Sequence, residues 1–315
     1  MCNGILPSLA IVVPCYNEEE IFPICLESLS KILIDLISQY KINKNSYILF
    51  VDDGSSDLTW SLIKKAVEKG DKVKGIKLSK NQGHQIALLA GLSFINTDIS
   101  ISIDADLQDD INAIYKMIEE YYIGNDIVYG VRSDRSSDSR FKRITANSYY
   151  KFMSIMGVYQ VENHADFRLL SNRANKSLLK YNESNIYIRG IIPLLGYRSS
   201  KVFYSRKKRV AGQSKYPIKK MLSLAVEGIT SFSIMPLRII SVLGFITCLS
   251  AILISLYALI QKFEGHVIEG WASIMISIFF LGGIQLISIG VIGEYIGKMY
   301  LESKKRPKYF IEEEC

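Results

Sequence analysis

Histidine is scarce in this chain: three residues among 315, at positions 84, 164 and 266. Residues so dispersed do not suggest a histidine-built metal centre, and His84 alone reads as a satisfied helix-surface residue. Cysteine is equally thin. The five at positions 2, 15, 25, 248 and 315 are odd in number and lack metal-ligand spacing, so free thiols in a reducing compartment are expected. No Gly-x-x-x-x-Gly-Lys-Ser/Thr loop occurs, which excludes a Walker-type nucleotide site. The absence of a Gly-x-Ser-x-Gly elbow removes support for a serine hydrolase. Leu9–Val13 is a short apolar run without a basic flank, so no secretory leader is read and the first domain is expected in the cytoplasm.

What the chain does have is a change of character near residue 236. Before it, the sequence reads as an α/β domain with clustered aspartates. After it come two uncharged apolar stretches, Ile239–Gln261 and Gly270–Gly293. About 20 apolar residues cross a hydrocarbon core of roughly 30 Å, so two spans are expected. The net charge of +7 is concentrated beside them. Arg206-Lys207-Lys208-Arg209, Lys215, Lys219-Lys220 and Arg238 precede the first run, and Lys298, Lys304-Lys305-Arg306 and Lys308 follow the second. That placement argues for anionic lipid rather than nucleic acid. By the positive-inside rule it puts both termini and the first domain on the cytoplasmic face of the plasma membrane, with a short loop outside. The expected organisation is a domain over 1–212, an amphipathic juxtamembrane segment over 213–236, two spans over 237–294 and a cytoplasmic tail over 295–315. Gly282-Gly283 and Gly290 leave small-residue faces that would suit a homo-oligomer.

Within the first domain, apolar runs at Leu9–Val13, Tyr47–Val51, Val73–Leu78, Ser100–Ile103 and Asp126–Tyr129 read as strands. Helical spacing recurs at Glu18–Tyr40, Leu58–Glu68, Gly83–Phe94 and Asn112–Tyr122. Residues 133–165 read as helical or irregular. Such alternation predicts a mostly parallel sheet covered on both faces. Ligands of these sheets collect outside the carboxyl ends of the strands, where the polar turns Pro14–Glu18, Asp52–Asp57 and Asp104–Asp109 fall. Asp104 and Asp106, if extended, would lie about 6.6 Å apart on one side of the chain. Two converging carboxylates repel unless a cation or proton lies between them, and Mg²⁺ or Mn²⁺ held this way keeps positions open for substrate phosphates. A solvated turn is the alternative for an isolated Asp-x-Asp.

The motifs become specific in combination. Val13-Pro14-Cys15-Tyr16-Asn17-Glu18-Glu19, Val51-Asp52-Asp53-Gly54-Ser55-Ser56-Asp57 and Asp104-Ala105-Asp106-Leu107-Gln108-Asp109 resemble the three markers of family 2 glycosyltransferases, inverting metal-dependent enzymes of the GT-A fold. Asn81-x-Gly83-His84-x-x-Ala87-x-x-x-Gly91 resembles the helix motif between the second and third markers. Ala165-Asp166-Phe167-Arg168-Leu169 and Gly212-Gln213-Ser214-Lys215-Tyr216 resemble later motifs of the polyprenyl-phosphate sugar transferases. That branch includes bactoprenol glucosyltransferases and, more distantly, dolichol-phosphate mannose synthases.

The resemblance implies a Rossmann-like GT-A domain with flanking helices, followed by the amphipathic helix and two transmembrane helices. It further implies that Pro14, Tyr16 and Glu18 border the nucleotide and that Asp52 or Asp53 holds base and ribose. Asp104, Ala105 and Asp106 would hold Mg²⁺ or Mn²⁺ and the diphosphate through the two carboxylates, with Gln108 nearby. Arg132, Arg140 and Arg143 would meet phosphate, Asp166 would stand at the catalytic-base position or orient the acceptor, and Ser214 and Lys215 would close on the phosphates. The expected partners are a nucleotide sugar, UDP-glucose before GDP-mannose or UDP-GlcNAc, and polyprenyl phosphate. A polysaccharide synthase and a non-enzymatic nucleotide-sugar-binding scaffold are the competing readings.

Overall fold

Leu9–Cys15 (β1) is buried at every position, as expected of a strand covered on both faces. The computed structural model describes residues 6–70, 72–133, 164–183, 187–205, 235–263 and 270–315. Along them follow Phe22–Ser38 (α1), Tyr47–Asp52 (β2), Thr59–Glu68 (α2), Val73–Leu78 (β3), His84–Phe94 (α3), Ile99–Ser102 (β4), Ala113–Tyr122 (α4) and Ile127–Arg132 (β5). Then come His164–Ser171 (β6), Asn172–Leu178 (α5), Ile188–Leu194 (α6), Ser199–Tyr204 (β7), Met235–Phe263 (α7), Trp271–Ser303 (α8) and Ile311–Glu314 (β8).

The strands form one sheet in the order β7-β5-β6-β4-β1-β2-β3-β8. The four central strands are parallel. β6 runs antiparallel between β4 and β5, and β8 lies antiparallel along β3. From β1 the chain winds first toward β2 and β3, then returns to β1's other side as β4. The topological switch therefore lies between β1 and β4, where the loops leaving two adjacent strands diverge and open a crevice. The antiparallel course of β6 matters equally. With Ser102 opposite Arg168, the start of β6 stands at the carboxyl end of β4 and brings Asp166 to the crevice.

One face of the sheet carries α1, α2 and α4, whose buried Leu29, Leu33, Ile63, Ile114 and Met117 join the strand side chains in a single apolar core. α3 lies across β1 and β2, and Gly91 explains how closely. A β-carbon there would stand 2.4 Å from Val12 Cγ1 and 2.8 Å from Val51 Cγ2. Cys15 and Cys25 are buried free thiols, and Cys315 is also unbridged. Burial keeps all three thiols protonated by raising their pKa.

The described residues up to 205, together with Arg306–Cys315, make one compact unit; α7 and α8 belong to a second. The expected tail thus divides: α8 continues to Ser303, and Ile311–Glu314 is a strand of the sheet. Two transmembrane helices were expected, and this requires correction. Among the described residues, only Phe280–Ser303, 24 residues with mean hydropathy 1.4, is long and apolar enough to cross a membrane. The described apolar stretch of α7, Met235–Thr247, rises about 20 Å at 1.5 Å per residue, short of the roughly 30 Å required. The two-span plasma-membrane topology, with both termini and the catalytic domain cytoplasmic, falls with the pairing on which it rested. Residues 213–234 of the juxtamembrane segment, most of 133–165, and Arg140, Arg143, Ser214 and Lys215 lie outside the described residues.

Candidate active site

The first two loops of the crevice are tied to one another through backbone amides. Asn17 N–H donates to Ser55 Oγ at 2.9 Å, and its Oδ1 accepts from Ser56 N–H at 2.9 Å. Glu18 N–H donates to Thr59 Oγ1 at 2.9 Å. Glu19 N–H donates to Asp57, while Glu19 Oε2 accepts from Leu58 N–H. The turn requires Asn17 at φ 53°, a left-handed conformation that asparagine tolerates better than most residues. Sequence positions nearly forty apart are thereby held as one ledge, on which Tyr16 stands 47 % exposed. Pro14 lies within β1, opposite Val51 of β2.

The adjacent aspartates of the second loop have different tasks. Asp53 accepts from Gln82 N–H and Gly83 N–H, each at 2.8 Å, and so fastens β2 to the start of α3. Asp52 accepts from Ser55 N–H through Oδ2 at 3.2 Å, but its buried Oδ1 has no hydrogen-bond partner. Burial pushes the Asp52 carboxyl above its usual range. A buried acceptor left open is costly unless a ligand supplies the donor, which makes Asp52 rather than Asp53 the residue with ligand capacity.

Asp104–Asp106 does not continue the extended strand. β4 ends at Ser102, and residues 105–106 turn. Asp106 accepts from Gln108 N–H at 3.1 Å, Leu107 takes φ 50°, and Ala105 and Gln108 are buried. Asp104 Oδ1 lies 3.3 Å from His84 Nε2 and is buried without a hydrogen-bond partner. Burial raises the Asp104 pKa; His84 opposes that, while Asp166, Asp109 and Asp106 reinforce it.

Among the described residues no group of three or more His, Cys, Asp or Glu side chains could enclose a metal. The donor set nonetheless fits an ion completed by substrate. Two carboxylates on one loop, one with a buried oxygen that makes no hydrogen bond, are hard oxygen donors of the kind Mg²⁺ and Mn²⁺ take alongside phosphates and water.

Asp166 is 3 % exposed and surrounded by donors. Arg168 and Arg189 Nε reach Oδ1, the latter at 3.2 Å. Arg189 Nη2 and Gln85 Nε2 reach Oδ2 at 2.9 and 3.1 Å. His84 Nε2 lies 3.5 Å from Oδ2. Burial alone would raise this carboxyl's pKa, but Arg168, His84 and Arg189 together hold it well below the ordinary value. Arg132 gives Nε and Nη2 to buried Asp109 at 3.1 and 3.0 Å, beside the buried Tyr204 phenol.

The sequence reading placed His84 on a helix surface. It instead stands between Asp104 and Asp166 at the first position of α3. Gln85, Asp109, Arg168 and Arg189 were also absent from the expected constellation. His84, Asp109 and Arg168 lie within the sequence motifs, where only their spatial partners were hidden; Gln85 and Arg189 carry no such signal.

Residues 10–185 match the family described as "Glycosyl transferase family 2", and residues 235–299 match "GtrB C-terminal hairpin". The chain is 51 % identical over 308 residues to the "uncharacterized glycosyltransferase YkoT" of Bacillus subtilis (strain 168), covering 97 % of this chain and 91 % of that protein. It is 39 % identical over 308 residues to the bactoprenol glucosyl transferase of Shigella phage SfV, covering 97 % and 98 %. A prophage bactoprenol glucosyl transferase homolog of Escherichia coli (strain K12) is 39 % identical over 306 residues, covering 96 % and 98 %.

Proposed function

The chain belongs to glycosyl transferase family 2, and from that premise we propose that it transfers a hexosyl group, glucose from UDP-glucose, to polyprenyl phosphate. The observation that carries the reading is the crevice at the β1/β4 switch. There a buried oxygen of Asp104, 3.3 Å from His84 Nε2, and another of Asp52 at the neighbouring ledge make no hydrogen bond. Its likeness to the bactoprenol glucosyl transferases, along nearly their whole length, supports the acceptor class.

Pro14, Tyr16 and Glu18 border the nucleotide, and Asp52 takes hydrogen-bond donors of the base or ribose. Asp104 and Asp106 would hold Mg²⁺ or Mn²⁺, which when bound neutralises charge gathering on the nucleoside diphosphate. An oxygen of the acceptor phosphate attacks the anomeric carbon as the bond to the diphosphate oxygen breaks. A single displacement inverts the carbon, turning an α-linked donor into a β-linked lipid-phosphate sugar.

The acceptor needs little help losing a proton. The second pKa of a phosphate monoester is about 6, so much of it is dianionic at neutral pH. This agrees with the state of Asp166, a carboxylate whose oxygens already accept from two arginines and a glutamine. Asp166 therefore orients its partners and takes no proton. The harder task is bringing two anions together, and Arg132, Arg140 and Lys215 supply positive charge for it, with Ser214 as a hydroxyl donor.

Purified full-length protein incubated with radiolabelled UDP-glucose, Mn²⁺ and undecaprenyl phosphate should yield a lipid-linked monosaccharide. A water-soluble polymer would instead support a polysaccharide synthase, and a lack of any lipid-linked product across UDP-glucose, GDP-mannose and UDP-GlcNAc would sink the proposal.

A further inference from the structure

Two arginines stand beside the Asp104–Asp106 loop, each with one edge of its guanidinium held by a buried carboxylate. Asp109, 2 % exposed, holds Arg132. Asp166 holds Arg189 through both oxygens, to Nε at 3.2 Å and to Nη2 at 2.9 Å. Yet Asp166 has a counter-ion without Arg189. Arg168, 1 % exposed, bonds Asp166 Oδ1, while Gln85 and His84 approach Oδ2. A second arginine exceeds what one carboxylate requires.

The two guanidiniums also differ in surroundings. Arg168 is enclosed, whereas the Arg189 side chain is 38 % exposed. Gripped along its Nε/Nη2 edge, the planar group is fixed in direction, and Nη1 is not among its bonds to Asp166. Arg189 is close enough to Asp104 and His84 to interact electrostatically with both, which puts its charge beside the loop assigned to the diphosphate.

We propose that Arg189 binds a phosphate oxygen of the reacting substrates and that Asp166 is the positioning residue that holds its guanidinium for the purpose. The inference rests on the reading of the Asp104–Asp106 loop as the diphosphate site. Phosphate oxygens there come from two sources, the donor's diphosphate and the acceptor's monoester, and both present the anionic geometry that an arginine fork recognises.

The test uses the full chain in detergent with UDP-glucose, Mn²⁺ and undecaprenyl phosphate. Turnover by the unaltered protein is measured first, because its absence would overturn the functional reading itself. Given turnover, Arg189→Gln should raise the acceptor KM at least tenfold with UDP affinity within twofold if the acceptor supplies the oxygen. A tenfold loss of UDP affinity would name the donor instead. Both quantities within twofold of the unaltered protein would overturn the assignment.

Asp166→Asn should give the same split between acceptor KM and UDP affinity, and the double variant should be no worse than the worse single variant. Multiplying effects would overturn the positioning role. Modification of the unaltered protein by phenylglyoxal, followed at Arg189 by mass spectrometry, provides a measurement free of folding defects. UDP with Mn²⁺ or undecaprenyl phosphate should slow modification at least fivefold, and an unchanged rate with both would overturn the proposal.

Discussion

The adjacent carboxylates of Asp52 and Asp53 show how residues identical in type divide into ligand capacity and scaffold. Asp53 uses both oxygens on backbone amides at the entrance to α3, so Asp53→Ala should lower unfolding free energy by about 1–2 kcal/mol, as loss of a helix cap does. Denaturant unfolding will show this, with unchanged stability as the contrary result. Asp52 retains a buried oxygen without a partner, so Asp52→Asn should weaken UDP binding while leaving the unfolding midpoint nearly unaltered. Asp106→Ala should reduce turnover about a hundredfold or more through lost charge stabilisation, and retention of more than a tenth of normal turnover would count against its role. The aspartates were legible because several acidic residues followed apolar strand-like runs. His84 was not. A lone histidine has no periodic or paired signal, and its meaning comes from Asp104 and Asp166, 20 and 82 positions away in a sheet that must first form.

At the scale of elements, the parallel centre of the sheet was readable and its antiparallel margin was not. β1 and β2 are buried apolar runs, β3 and β4 intersperse apolar residues with lysine or serine, and helices stand between them, so local pattern suffices to find them. The expected boundaries of these elements differ from the observed ones by no more than four residues at any end. β6 was read only as an aspartate motif, and its pairing beside β4 depends on register rather than local composition. β8 falls in the stretch 295–315 expected as a cytoplasmic tail, and Ile311-Glu312-Glu313-Glu314, with three like charges, carries no strand pattern of its own. Their partners are distant: Glu312 pairs with Lys77, and Glu313 accepts from Trp60 and Lys64. The small residues of the helix motif now have a mechanical reason. Gly91→Ala should cost about 1–3 kcal/mol because its new methyl would meet Val12 and Val51 inside ordinary contact distance, and an unchanged unfolding curve would show that the helix can shift freely.

For the whole molecule, acid stability follows from a carboxylate far from the crevice. Arg173 and Ser171 bond buried Asp126 and hold its pKa below the ordinary value. A depressed folded pKa contributes stability above the unfolded value of about 3.9 and loses it as pH falls through the folded value. The stability gap between the unaltered protein and Asp126→Asn should therefore be full at pH 6 and shrink below pH 4; a gap that is constant with pH would exclude the linkage. Removing residues 311–315 should lower the unfolding midpoint by uncovering the β3 edge, and an unchanged midpoint would mean that the strand adds no stability. The late position of that strand has a further meaning during synthesis. Trp60 and Glu313 are 253 positions apart, which at about 5–20 residues per second amounts to tens of seconds of translation. For that interval β3 waits on the ribosome with an unpaired edge, a template for neighbouring nascent chains. Lys74 and Lys77, placed along a six-residue strand, repel such company until its own partner arrives.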